Sequence, residues 1–395
     1  MSDSYLVDLA VRVKALSASP EHQRRRKLWQ ASMNLETTEA PVNFYMYRDL
    51  WGWELAGDLL KYRKSMAAEI ESQLMFQLWR ADHMPDDTPA DPAIVLKPVR
   101  PANRPLFPWG VELKRTDTVY GGSYKPIPVI VEESDLDRIQ LPAYEEDAAA
   151  TARLVDEATE LVGGELPVRL HSDELHWGPF EHAVLLRGMD NLLLDVYDRP
   201  EFIHRLMDRL TTGMVAYHKA REAAGRVYAE AGIGHVPTLP VPEAMRHKLK
   251  GGWSYAHAQS SASYSPDMYA EFVHPYNCRL ADLVARVYYH GCEDLSRKCK
   301  SIKSLPGLRL FHVSPWTPPA PVLDVLGTTV AYEVHSHPTT VVFGETLPEI
   351  RNEIKERYAI VKGTSHTWAL ADVETFAGHF DRTVYWAQTA REFAR

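Results

Sequence analysis

Cysteine is almost absent: 395 residues carry only three, Cys278, Cys292 and Cys299. An odd, sparse set excludes a disulfide framework, so each cysteine serves packing or chemistry in a reducing compartment. A basic surplus is missing too, with 44 Lys and Arg against 53 Asp and Glu and a formal charge of −9. That balance excludes a general nucleic-acid binder, whose footprint is basic, and the short Arg24-Arg25-Arg26 run reads as a solvated helix face. No stretch approaches the length of uninterrupted apolar residues that a membrane span needs. The opening Met1-Ser2-Asp3-Ser4 lacks the basic-then-apolar order of a secretion signal. These absences predict a cytoplasmic protein with no membrane partner. No internal repeat or low-complexity tract is present. What is there, 45% hydrophobic and 25% charged residues, suits a globular chain with a large core, in one α/β domain or two smaller ones.

The hydrophobic pattern alternates short apolar runs with longer amphipathic stretches, which is the α/β rhythm. Strands are predicted over 41–46, 167–171, 226–230, 286–290, 308–313, 329–334 and 358–362, with an eighth between 93 and 119. Helices are predicted over 150–162, 201–223, 266–284, 347–356 and 372–392. Eight strands alternating with helices is the count of a (β/α)8 TIM barrel, and a doubly wound open sheet is the competing arrangement. Residues 1–40 read as an N-terminal helical extension, with Leu6, Leu9, Val13 and Leu16 on one stripe. It would cap the barrel of residues 41–395 or form the subunit contact of a homodimer. The Pro-rich stretches 84–108 and 237–252 read as long loops, which in a compact domain are usually functional.

Ionisable residues gather where strands end: His171, Asp173, Glu174 and His176; Glu230 and His235; His290 and Cys292; His312; Glu333, His335 and His337; His366. In a barrel the carboxyl ends of the strands form the site. The most specific element is His290-Gly291-Cys292, closing an apolar run. Residues i and i+2 of a strand face one side, and an imidazole beside a thiolate is a donor pair suited to Zn²⁺. A Cys-His nucleophile pair is the competing use of Cys292. His312 and His335 read as strand caps or backbone partners, and Glu333 as charge balance. Cys278 and Cys299 fall in predicted helices and read as packing. Trp51, Trp177 and Tyr255 would line an apolar pocket, and His257 would touch the substrate.

Several blocks occur in a telling order: Trp177-Gly-Pro-Phe180, Leu185-Leu-Arg-Gly188, Leu193-Leu-Asp-Val-Tyr-Asp-Arg-Pro200-Glu201, Ser265-Pro266 through Phe272, Pro275-Tyr276, and Tyr289-His290-Gly-Cys292. With them the chain resembles the uroporphyrinogen decarboxylase superfamily over nearly its whole length. The resemblance implies a (β/α)8 barrel with its site at the carboxyl-terminal mouth. Porphyrinogen decarboxylases of that family carry an Arg-rich loop after the first strand. Here the matching segment 41–51 has one arginine, Arg48, beside Asp49 and several aromatics, which suits a less anionic substrate.

The branch it is most similar to is that of zinc-dependent corrinoid-protein methyltransferases, which have an HxC pair and a third ligand, usually cysteine, after the last strand. No cysteine follows Cys299, so the third position would fall to His366, with Glu333 or Glu230 as the alternatives. The resemblance thus implies transfer of a methyl group from a small methylated substrate (a methoxyaromatic, methylamine or methylthiol) to a corrinoid (cobalamin) protein. His290, Cys292 and His366 would hold Zn²⁺, and His171, Asp173 and Glu230 are the candidate catalytic groups. The competing function is decarboxylation of a small carboxylic acid, with Arg48 or Arg169 on the carboxylate and His171 or Asp173 as proton donor.

Overall fold

Eight parallel strands stand in two arcs in the computed structural model, which describes residues 3–102, 109–116, 125–172, 175, 178–344 and 346–395. They are β1 (Val42–Phe44), β2 (Ile94–Leu96), β3 (Val168–Leu170), β4 (Trp253–His257), β5 (Arg286–His290), β6 (Leu308–Val313), β7 (Ala331–His335) and β8 (His366–Leu370). Six of them hydrogen-bond in the order β1-β8-β7-β6-β5-β4, and β2 pairs with β3. This is the sequential order of a barrel-like α/β fold. Among the described residues no ladder joins β1 to β2 or β3 to β4, so the expected closed barrel is an unsealed ring here. A small antiparallel hairpin, Lys114–Arg115 with Pro126–Ile127, stands apart from it.

Two strand expectations fail for physical reasons. Residues 358–362 overlap the helix Leu347–Val361, whose Ile350, Ile354 and Val361 form a buried stripe that overrides the β-branched run. The last strand begins only at His366. Residues 226–230 form an irregular connection rather than a strand, and the missed strand is β4, whose mostly half-buried residues give no clear alternation. The helix expected over 266–284 divides into Pro266–Phe272 and His274–Ala281, with Pro275 opening the second. Likewise, 372–379 form a loop ahead of the helix Phe380–Ala394.

The six-strand arc buries its outer face, including Tyr289, Phe311, Tyr332, Val334, Trp368 and Leu370, against the helix layer in the main core. A second core joins Leu6, Leu9 and Val13 of α1 (Ser4–Ala18) to Ile70 and Leu74 of the helix Met66–His83 and to Ile94 and Leu96 of β2. The extension continues into α2 (Pro20–Asn34), which lies under the amino ends of the strands. Its Trp29 and Met33 pack against Tyr288, Leu310 and Ala331. Ser32 Oγ donates to the His366 carbonyl at 3.2 Å, and Arg286 donates to Asn34 Oδ1 at 2.9 Å. No helix among the described residues is long and apolar enough to cross a membrane.

Candidate metal centre

Strand parity sends one set of side chains into the ring. Because Tyr289, Phe311, Tyr332 and Val334 face the helices, their neighbours Tyr288, His290, His312, Glu333 and His335 face inward. The sixth member of this cluster, His235, comes from a turn rather than a strand. Ile233 and Val236 form an antiparallel bridge, and the glycines beside them allow close approach. A Cβ on Gly234, whose φ is +53°, would meet Tyr288 at 2.5 Å, and one on Gly232 would meet the Val236 carbonyl at 2.4 Å. Asn43 of β1 fixes the tip by donating to the His235 carbonyl at 2.6 Å.

His235, His290 and His312 each bring one ring nitrogen within 4.8 Å of the others, and all three are buried. They could hold a metal ion. Glu333 organises two of them: its Oε2 lies 2.6 Å from His312 Nδ1 and 3.0 Å from His235 Nδ1, and it accepts the Tyr288 hydroxyl. Burial alone would push the Glu333 carboxyl up, yet His235 and His312 overcome it and hold it well below the usual range. A carboxylate accepts only, so both Nδ1 atoms donate, and in the neutral rings that a metal requires each Nε2 carries the free lone pair. The buried His312 Nε2 has no hydrogen-bond partner, as expected of a nitrogen kept for a ligand. Burial and the neighbouring His312 and His235 push His290 well below its ordinary value, so it is a neutral donor. For His235 burial is outweighed by Glu333, which raises it. The carboxylate-histidine arrangement is the one that orients metal-binding imidazoles.

The group opens on a cavity of about 430 Å³ lined by His235, His290, Tyr45, Tyr47, Tyr255, His171 and Asp372, among others. Tyr255 stacks on His290 with ring centroids 5.2 Å apart, and Tyr45 lies 4.9 Å from His235. Asp372, two residues past the last strand's end, has a left-handed conformation, φ +57°, and Tyr47 donates to it at 3.4 Å. A non-glycine residue held there is strained, a feature that clusters at functional sites.

The sequence-derived candidates separate on this geometry. His290 belongs to the three-nitrogen group, while Cys292, just past the strand end, and His366 are not part of it. Burial and the nearby Asp372 and Glu293 push the Cys292 thiol up to about 12. His366 stands at the amino end of β8, on the face it shares with Trp368 and Leu370. Its Nδ1 bonds the Thr364 carbonyl at 3.0 Å, and its ring lies 6.3 Å from Tyr358 of the helix layer.

His171 and Tyr255 line the cavity. Glu230 is engaged elsewhere: Arg246 lies 3.4 Å and Arg169 3.9 Å from its Oε2, which also accepts the Tyr228 hydroxyl at 3.0 Å. His257 adjoins the site without lining it, its ring 5.8 Å from His290 and its Nδ1 3.6 Å from Glu181. Trp51 is fully buried against Phe76 and Trp79 in the core. Asp173 and Trp177, with Glu174 and His176, lie outside the described residues. The two arginines considered for a substrate carboxylate are both paired, Arg48 with Glu69 at 2.7 Å and Arg169 with Asp91 at 2.9 Å. Tyr45, Tyr47 and Asp372 were not singled out from sequence, nor was the orienting role of Glu333. The available signals were the period-two inward placement of Glu333 with His335 and the glycines flanking Ile233.

No family model matches the chain, and no curated protein matches it in sequence. Among solved structures a methyltransferase from Methanosarcina mazei is similar in fold, with a TM-score of 0.54 over 93% of this chain and 97% of that chain. The two share 15% sequence identity, so the likeness is one of fold.

Proposed function

We propose that the chain is a zinc-dependent methyltransferase that takes a methyl group from a small methylated substrate and delivers it to the reduced cobalt of a corrinoid held by a partner protein. The observation that carries this reading is the set of three buried imidazole nitrogens, backed by a carboxylate and opening on a cavity at the carboxyl ends of the strands. Three nitrogen donors with an open fourth position are the donor set of a catalytic zinc site. Support also comes from the Methanosarcina mazei methyltransferase of similar fold and from the family resemblance of the sequence blocks. When bound, the metal supplies a Lewis acid for the heteroatom that carries the methyl group.

The chain's own residues do the rest. His235, His290 and His312 hold the ion, and Glu333 keeps two of them in one tautomer. Tyr255 and Tyr45 wall the cavity beside those imidazoles and exclude water. The carbon–heteroatom bond breaks with its electron pair left on the heteroatom, and His171 on the cavity wall supplies a proton to an alkoxide or thiolate as it leaves. A cavity of 430 Å³ suits a small substrate, and the acceptor reaches it across the open mouth.

The test is metal analysis followed by a donor screen. The purified protein should carry about one zinc per chain. Methoxyaromatics, methylamines or methylthiols should convert cob(I)alamin to methylcobalamin, read by absorbance, with no turnover when the corrinoid is omitted. A protein that stays metal-free after zinc-supplemented growth, or one that releases CO₂ from a carboxylic acid without corrinoid, refutes the reading.

A further inference from the structure

The cavity is longer than the metal centre requires. It touches His290 at the carboxyl end of β5 and also Val284, two residues before that strand begins. At roughly 3.3 Å per strand residue the strand alone spans about 13 Å from Arg286 to His290, so 430 Å³ spread along at least this length is a channel rather than a bowl. Its course follows the seam where β3 and β4 share no ladder among the described residues. There the wall is made by the 226–236 connection and by the segment leading into β4. Towards the end away from the histidines the wall includes Leu249, Leu280, Leu283 and Val284, beside the helix His274–Ala281, while the lining Arg221 is turned to the Ser172 carbonyl. Tyr255 stands between the two ends, stacked on His290.

We infer that this channel binds an elongated substrate, with a methylated polar head at the histidines and an uncharged apolar tail running down the β3–β4 seam to the leucines. The inference rests on the methyl-transfer reading only for the identity of the head. The shape argument is independent of it: a compact one-carbon donor would leave the leucine-lined end wet, at a cost that an apolar tail removes. Each methylene laid along the seam adds about 0.8 kcal/mol, which is a factor of about four in affinity.

The experiment is calorimetric titration of the zinc-loaded full chain with phenol, 4-ethylphenol, 4-butylphenol, 4-hexylphenol and 4-decylphenol, which stand for the demethylated product. The expected result is one site per chain, affinity rising about 2- to 4-fold per methylene, and a plateau once the tail fills the seam. Leu283→Trp, which fills the far end, should flatten the rise while phenol binding and zinc content stay unchanged. Affinity that does not change with tail length overturns the inference. So does a rise without plateau that Leu283→Trp leaves intact, as on any greasy surface, and so does absence of binding by every member of the series. If Leu283→Trp fails to fold, the wild-type series alone decides. Tail-dependent binding with no methyl transfer from any donor would sink the proposed function and leave the channel standing. Transfer from short donors alone, with flat binding, would do the reverse.

Discussion

Replacing Glu333 by glutamine isolates the one residue on which the metal centre's geometry turns. The side chain keeps its shape but loses its charge, and one of its two oxygens becomes a donor. In the wild type a single oxygen, Oε2, accepts from His312 Nδ1 at 2.6 Å, from His235 Nδ1 at 3.0 Å and from the Tyr288 hydroxyl. An amide oxygen can keep the strongest of these at best, so at least one imidazole is released to take the wrong tautomer or turn. Loss of one such orienting partner typically weakens metal binding 10- to 100-fold. With two imidazoles affected, the expected loss is about 100-fold, or about 2.7 kcal/mol. The fold should survive, because the amide still fills the site. The assay is zinc competition against a chromophoric chelator, with a thermal melt of the metal-free protein as control. Wild-type zinc affinity in Glu333→Gln would refute the orienting role. A 100-fold loss accompanied by collapse of the apo melt would show that Glu333 serves the fold instead.

The neighbouring residues give further expectations. His290→Ala should lower zinc affinity at least about 10-fold, whereas Cys292→Ala and His366→Ala should retain stoichiometric zinc by metal analysis, since neither lies in the three-nitrogen group. Trp51→Ala should cost about 3–5 kcal/mol in urea unfolding and leave zinc content unchanged. Acid should destabilise the protein through His22, which burial and then Arg25 and Arg26 hold at about 4 against an ordinary 6.5. Its Nδ1 accepts the Ala90 N–H at 2.9 Å, so the buried ring is kept neutral. Between these values the unfolded chain binds the proton and the native one does not. This contribution is therefore complete above pH 6.5 and lost as pH falls toward 4. At pH 4.5 the loss amounts to about 2.5 kcal/mol, measurable as a smaller acid-induced drop in urea midpoint for His22→Gln.

Legibility from sequence followed the local pattern. β5 and β6 occupy the spans their apolar runs predict, 286–290 and 308–313, because strands buried on both faces read as continuous apolar stretches. β4 escaped notice because it borders the open seam, where its residues are only half buried and carry no alternation. Misplacing the last strand onto the apolar end of the helix Leu347–Val361 put His366 after a strand rather than at its start. The true position past the last strand holds Asp372. His235 was noticed at the end of a strand that does not exist. What delivers it is the turn closed by Ile233 and Val236, whose Gly234 is needed because Tyr288 approaches from elsewhere in the chain. The union of His235, His290, His312 and Glu333 likewise spans about a hundred residues and depends on register, which no local pattern encodes.

The two unladdered joins divide the ring mechanically. The β2–β3 pair shares its apolar core with α1, with the helix Met66–His83 and with the helix Ala148–Leu161, and that core is separate from the one behind the six-strand arc. Between the panels run one backbone bond, from the Asp87 N–H to the Val42 carbonyl at 2.7 Å, and side-chain ties: Arg80 to Asn43, Trp29 Nε1 to the Asp87 carbonyl at 3.0 Å, and the Val42 N–H to Asp87 Oδ2 at 3.1 Å. The helix Met66–His83 reaches across as well, packing Phe76 and Trp79 against Trp51 in the main core, so packing rather than a ladder joins the panels. A join sealed by side chains alone can be re-shaped by substitution without breaking a strand pairing, which leaves the cavity wall at the β3–β4 seam the most replaceable part of the ring.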